Sequence, residues 1–502
     1  MIKELNDLVH FAKTSVWRDE ALLASFCDQD PDVLLLYRIL WSNNLLTDAG
    51  AAKTAGVSLS TYKKLARRLR RHLREMAVFF NDEKARVDAT VNNYVEGVLE
   101  VALMNILHGR GYRHAPLEMA KRLYRRGLDY EAPAFAAEAL RVLKESVLSV
   151  EGNEKQFEEY SGLYWEYRAY ADAEERAADC FQWVKLPYLR KKSVRHHLPE
   201  LTRRRIEALE PFKGRTPSYM FHVYYYTIRG NFHLETADYE GALQCYDEAI
   251  AYFRAKRYPV VNPLSMFHYS KVMACILLGR YEAGEAAVIA SLDYAPDGSF
   301  NFFNAYEMYF YLAVHTGHYA QALDIFQTVT LHKRFGNLRA PQRETWHILG
   351  AYLFITYRLA DLHLPDKSLP PFKSYRFANE TQAFNRDKNG MNVAILIAHV
   401  LLQLVEGRRD EVLERISALD KYRERYLRES DTDRSELFIK ILTLLPKNNF
   451  DPAVFSKKAA PLRKKMSALP RQLTNPAHEL EVVPYEALVE LLTAYLRKRN
   501  IN

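Results

Sequence analysis

Apolar residues recur at intervals of three and four along nearly the whole chain, the spacing of a single buried helical face. Tyr62, Leu65, Leu69, Leu73, Met76 and Phe80 make one such stripe, and Leu186, Leu189, Val194, Leu198, Leu201, Ile206 and Leu209 make another. This period predicts an all-α fold with negligible strand. The most apolar stretch, Val393 to Val405, is interrupted by His399 and Gln403. It is also shorter than the roughly 20 residues that cross a bilayer, so it is expected as a buried helix.

Within this pattern one module repeats. Asp238-Tyr239 is followed by Ala242, Tyr246 and Ala249; Tyr281 by Gly284, Val288 and Ser291; Tyr319 by Ala322, Phe326 and Val329. In each case a turn precedes a tyrosine, and the residues at +3, +7 and +10 share one helical face. The segments ahead of the turns, Tyr224 to Thr236, Phe267 to Leu278 and Ala305 to Thr316, are helical by the same rule, so each module is a helix, a turn and a helix. Weaker copies start at Gly127-Leu128-Asp129-Tyr130, with Ala137 and Leu140, and at Gly407-Arg408-Arg409-Asp410, with Val412, Ile416 and Leu419. The main interruption runs from Leu364 through Asn392 and carries Pro365, Pro370 and Pro371. An irregular connection that long is uncommon inside a packed array.

Gly230, Ala242, Tyr246 and Ala249 sit at the spacing of the small and aromatic packing positions of the tetratricopeptide repeat, and Pro296 closes the second module as that family's proline does. The chain thus resembles a tetratricopeptide-like (TPR-like) array. It departs from the family at Val272, which takes the place equivalent to Gly230, and its tyrosine turns lie roughly 38 to 42 residues apart against the usual 34. The C-terminal third is also similar to a bacterial family of about 500-residue TPR-like proteins without a characterised activity. That likeness rests on Phe384 to Asn392, Tyr422 to Arg428, Phe438 to Pro446 and His478 to Leu492. The resemblance implies an α-α superhelix, or solenoid, with a concave binding face. The expected division is 1–90 as an N-terminal helical unit, 91–340 as the repeat array and 341–502 as a helical region closing it.

Composition agrees with helix: glycine (19) and proline (20) are sparse in 502 residues, and hydrophobic residues reach 48%. Four scattered cysteines, Cys27, Cys180, Cys245 and Cys275, form no CxxC pair, so neither a disulfide framework nor a zinc knuckle is indicated. Met1 to Phe11 mixes charged and apolar residues without the unbroken run of a secretory signal. A reducing cytoplasm is the expected location.

The net charge of +8 is modest for the length, but it is unevenly placed. Lys63, Lys64, Arg67, Arg68, Arg70, Arg71 and Arg74 fall on one predicted helix, and Arg190, Lys191, Lys192, Arg195, Arg203, Arg204 and Arg205 on a second segment. Upstream of the first cluster, Thr47 to Leu65 resembles a bacterial helix-turn-helix: Ala52 is the small residue of the crossing, Gly56 the turn, and Ser58 to Leu65 the start of the recognition helix. The competing reading is a structural helix pair whose arginines flank an apolar stripe. Both basic clusters read most simply as solvated flanks.

Signs of catalysis are few. Gly279 to Gly284 is followed by Glu285 where a phosphate-binding loop needs lysine, and neither HExxH nor GxSxG occurs. Arg67 with His72 and Arg190 with His196 fit the loose spacing of small helical ribonucleases, a remote alternative. His196-His197 lacks ligand partners at metal spacing. The sequence is therefore expected to be a non-catalytic scaffold or adaptor, with no cofactor or metal, that takes a protein or peptide on its concave face. Tyr225, Asn231, His268, Lys271, Asn304 and Tyr311 are the candidate groove residues. The alternative is a DNA-binding transcriptional regulator with a TPR-like sensor, in which Lys63, Lys64, Arg67 and Arg71 contact nucleic acid.

Overall fold

The computed structural model describes residues 2–14, 30–42, 46–79, 89–189, 198–363, 377, 391–427, 433–469, 471 and 481–499. Among these residues every regular element is a helix and no strand occurs, as the apolar period predicts. No described helix is long and apolar enough to cross a membrane. The chain divides into two units, Met1–Tyr167 and Arg168–Asn502.

The first unit contains two separate apolar cores. Helices α1 (Ile2–Thr14), α2 (Pro31–Ser42), α3 (Asp48–Thr54) and α4 (Leu59–Phe79) surround one of them. The α4 stripe of Tyr62, Leu65, Leu69, Leu73 and Met76 is buried there against Leu5, Val9, Leu36, Leu40 and Ala52. Phe80, the last residue of the predicted stripe, lies outside the described residues. Helices α5 (Ala89–Gly109), α6 (His114–Asp129) and α7 (Pro133–Ser146) enclose the second core, around Met104, Leu123, Leu140 and Leu143. Ala137 and Leu140, predicted from the early repeat copy, are both buried. Helix α8 (Glu154–Leu189) spans the division between the units.

In the second unit the helices are α9 (Leu198–Lys213), α10 (Tyr219–Glu235), α11 (Tyr239–Arg254), α12 (Asn262–Leu278), α13 (Tyr281–Leu292), α14 (Phe300–His315), α15 (Tyr319–Thr330), α16 (Ala340–Ala360), α17 (Met391–Val405), α18 (Arg409–Tyr426), α19 (Asp433–Lys447), α20 (Pro452–Ser467) and α21 (Tyr485–Arg499). From α9 to α21 each packs on the next along the chain; α12 also meets α14, and α16 meets α21.

The +3, +7 and +10 residues of all three repeats are buried, on α11, α13 and α15. At Gly230 a β-carbon would collide with the ring of Tyr246. Only glycine lets α10 and α11 approach that closely there. The first helices begin at Tyr219, Asn262 and Phe300, one turn or more ahead of the apolar residues that revealed them. Polar caps explain the difference, because the Ser218 and Ser299 hydroxyls accept the Phe221 and Phe302 amides at 3.0 and 3.2 Å and so fix two of those starts. Helix α17 is the expected buried helix, with His399 and Gln403 inside it. The proline-punctuated stretch 364–392 lies outside the described residues except for Phe377, Met391 and Asn392.

Candidate functional site

The first candidate surface is built by α3, a short turn and α4. Thr47 caps α3 by accepting the Gly50 amide at 3.1 Å, and the chain leaves α3 through Gly56 in the left-handed region at φ +67°. A side chain at that φ would be strained, so glycine makes the tight reversal. Ser58 then accepts the Thr61 amide at 3.1 Å and starts α4. Ala52 is buried at the crossing, and the Tyr62 hydroxyl donates to the Asp48 carboxylate at 2.8 Å, tying the start of α4 to the start of α3.

The cations of α4 separate into two groups by what they meet. Arg70 and Arg74 both reach Glu4 on α1, and Arg68 pairs at 2.5 Å with Asp30, which also accepts the Asp32 amide at the start of α2. These three arginines brace the core. Lys63, Lys64, Arg67 and Arg71 are all exposed. They fall in a sector of about 100°, opposite the buried stripe, as 3.6 residues per turn requires. Among the described residues no carboxylate pairs with Lys63, Lys64 or Arg67, and Arg71 has only a loose contact with Glu75 at 3.8 Å. The face is therefore uncompensated positive charge on a rigid helix.

The described part of the second basic cluster is different. Arg203 pairs with Glu200 and Glu207 at 2.8 Å, Arg204 with Glu200 at 3.0 Å, and Arg205 lies over the Trp183 ring at 4.1 Å. Arg190, Lys191, Lys192, Arg195, His196 and His197 lie outside the described residues. His72 is buried on the core side of α4 while Arg67 points outward, so that pair does not converge.

The candidate groove residues do not form one surface. Tyr225, His268 and Tyr311 are buried, and the Tyr225 hydroxyl donates to Glu210 at 2.5 Å. Lys271 is bound to Asp247 at 2.5 Å. Asn231 is exposed and Asn304 half-buried. Burial holds the His268 imidazole down to about 4, with the charges of Arg254 and Lys271 acting in the same direction. It is neutral inside the protein.

No family model, curated protein or solved structure matches the chain. What the chain can do is accordingly read from its own side chains.

Two groups that the sequence reading passed over stand out in the second unit. Glu235, at the end of α10, and Glu307, in the middle of α14, are partly buried, and among the described residues neither has a hydrogen bond or an ion pair. Burial pushes each carboxyl up to about 7. In sequence they look like any exposed glutamate on a helix. The one available signal was their position on first helices, where Glu307 shares the face of Asn304 and Tyr311 at i+3 and i+7 spacing. No cluster of three or more His, Cys, Asp or Glu side chains able to hold a metal occurs among the described residues. The thiols of Cys245 and Cys275 are buried and pushed up to about 12 and about 11 by that burial, which leaves them unreactive near neutrality.

Proposed function

We propose that the chain is a non-catalytic DNA-binding regulator. Helices α2 to α4 form a helix-turn-helix unit that sets α4 against duplex DNA. The helix pairs of the second unit, arranged as a TPR-like α-α superhelix, hold a ligand or partner. The observation that carries this reading is the division of labour on α4. Arg68, Arg70 and Arg74 are consumed by Asp30 and Glu4, whereas Lys63, Lys64, Arg67 and Arg71 stand outward, three of them without a counter-charge among the described residues. A merely solvated helix flank gains from local carboxylates, and here they are spent on the other arginines. Exposed cations on a rigid helix release counterions when they meet phosphates, which gives affinity that falls steeply with salt.

The test is a gel shift with a short mixed-sequence duplex across a salt series. Wild-type protein should bind, and the joint substitution Lys63→Gln, Lys64→Gln, Arg67→Gln, Arg71→Gln should flatten the slope of log K against log salt by roughly 3–4, about 0.9 for each lost phosphate contact. None of the four side chains is in the core, so helix content and melting should stay as in the wild type. A wild type that ignores duplex DNA, or a variant that binds as well, sinks the DNA reading. The second reading, a protein-binding scaffold that never touches DNA, then takes its place. It is favoured by the unpaired carboxylates Glu235 and Glu307 on the array helices, and it shares the same second unit.

A further inference from the structure

Helix α5 has its polarity reversed. An ordinary surface helix turns its apolar stripe inward and its charges outward. In α5 the charged side chains turn toward the helices of its own unit: Glu96 pairs with Arg126 at 2.7 Å and Glu100 with Arg122 at 3.1 Å, both on α6. Two of its asparagines do the same, Asn93 accepting from Arg126 at 3.1 Å and Asn105 from Arg141 of α7 at 2.6 Å. On the outward side stand Val91, Tyr94, Val98, Leu103 and Ile106, between 43 and 63% exposed, with the exposed Ala102 among them. At 3.6 residues per turn these six lie within one half of the circumference, and no charged residue of α5 falls in that half. Single exposed apolar side chains are ordinary, but a continuous stripe along a 21-residue helix marks a binding surface. The five large side chains together expose on the order of 500 Å². A standard interface takes about 800 Å² from each partner, of which roughly 450–520 Å² is apolar. The stripe alone supplies that amount.

We propose that this face is a homodimer interface, in which α5 packs antiparallel on α5 of a second copy across a two-fold axis. Such an interface must be complementary to itself. A face without charges meets that condition, because no like charges are brought together. A surface for a different protein shows its partner by a complementary charged rim, and homodimer interfaces are the more apolar class. A helix lying on a membrane carries Lys and Arg on its polar side, whereas the polar side of α5 is acidic and already taken by α6. Antiparallel packing sets Val91 against the second copy's Ile106 and brings Val98 to the axis. There the small side chains of Val98 and Ala102 let the two helices approach to about 8–10 Å. The dimer does not depend on the DNA reading, but it extends it, since helix-turn-helix proteins read paired half-sites as dimers.

The test is sedimentation equilibrium of the full chain, which should return twice the 58.4 kDa of one copy. Val98→Glu with Ile106→Glu sets like charges against each other at the axis and should weaken self-association by about a hundredfold or more. Both residues are exposed in a single copy, so helix content should not change. The wild type should melt higher as protein concentration rises, and the double variant should lose that dependence. Leu331→Glu, at a residue 82% exposed outside α5, should stay dimeric. If the two glutamates lower helix content, the milder pair Tyr94→Ser and Ile106→Ser takes their place, with a weakening of about tenfold expected. A monomeric wild type overturns the proposal and leaves the face to a different protein or to another part of the chain. A dimer that survives the α5 substitutions also overturns it, because the two copies then meet elsewhere. The gel shift is run on the same samples. Duplex binding by a monomeric wild type removes this interface alone, and a dimer that ignores duplex DNA removes only the DNA reading.

Discussion

Ala242→Arg is expected to abolish cooperative folding of the second unit or to lower its melting temperature by more than about 10 °C. Ala242 is fully buried, in the core that holds Tyr226, Ile228, Cys245, Tyr246 and Ala249. A small side chain is needed because α10 and α11 are drawn together through Gly230, with the Tyr246 ring filling the space where a β-carbon would be. Arginine adds volume that the crossing cannot absorb, costing about 1–3 kcal/mol by overpacking. It also carries a charge into an apolar core, which costs several kcal/mol more. A sum of about 5 kcal/mol or more compares with a total domain stability of about 5–15 kcal/mol. At roughly 2–4 °C per kcal/mol for a unit of this size, calorimetry reads the loss directly. Hydrogen exchange should place the loss of protection in α10 to α12, and Ala242→Ser should be nearly silent. A full-strength transition in the arginine variant would mean that α11 does not pack by this face.

The same residues show what a sequence can disclose. The tyrosine turns and their +3, +7 and +10 followers were readable because burial imposes one chemical requirement, small or apolar, at fixed helical spacing, and Ala242, Gly284 and Ala322 meet it. The helix from Val393 to Val405 was readable for the same reason. Tyr225, His268 and Tyr311 were not placeable, since a polar tip on an aromatic ring is compatible with a groove or with a core, and the core holds all three. The roles of the α4 arginines were equally hidden. Arg70 and Arg74 are structural because of Glu4, a residue 66 and 70 positions away in the chain, and no local pattern announces that pairing. Once those partners are known, Lys63, Lys64, Arg67 and Arg71 can be told apart from their neighbours. Short-range periodicity thus disclosed the helices and their inner faces, whereas the charge map that separates a bracing arginine from a free one is a property of tertiary contact.

The substitution Arg434→Met should destabilise the second unit by about 3–5 kcal/mol, the cost of leaving a buried counter-charge unpaired. Arg434 is 6% exposed at the start of α19 and gathers three chain ends around one guanidinium. It pairs with Glu481, just ahead of α21, and with Glu486 in the first turn of α21 at 2.8 Å; it also donates to the Met466 and Leu469 carbonyls at 2.6 and 3.3 Å. The Met466 carbonyl lies in the last turn of α20 and the Leu469 carbonyl just beyond its end, so the guanidinium ties this terminus to the start of α19. Burial alone would raise the Glu486 carboxyl, but the charge and hydrogen bonds of Arg434 hold it below its ordinary value. The stability Glu486 contributes is therefore present above pH 4.5 and is lost as pH falls through that lowered value. In Arg434→Met the two glutamates stay buried with only the loose contact of Arg471 to Glu486 at 3.8 Å left to compensate them, so protonation relieves them. The gap between variant and wild type, measured by urea unfolding, should be widest near neutrality and should close as pH drops below 4.5. Adding Glu481→Leu and Glu486→Leu to Arg434→Met removes the stranded charges and should recover most of the loss, since well-packed apolar groups often replace a buried ion cluster at little cost. If the single variant unfolds like the wild type, Arg434 is not what joins α19, α20 and α21. If the triple variant is no better than the single one, the joint depends on the carbonyl caps of α20 and not on the ion pairs.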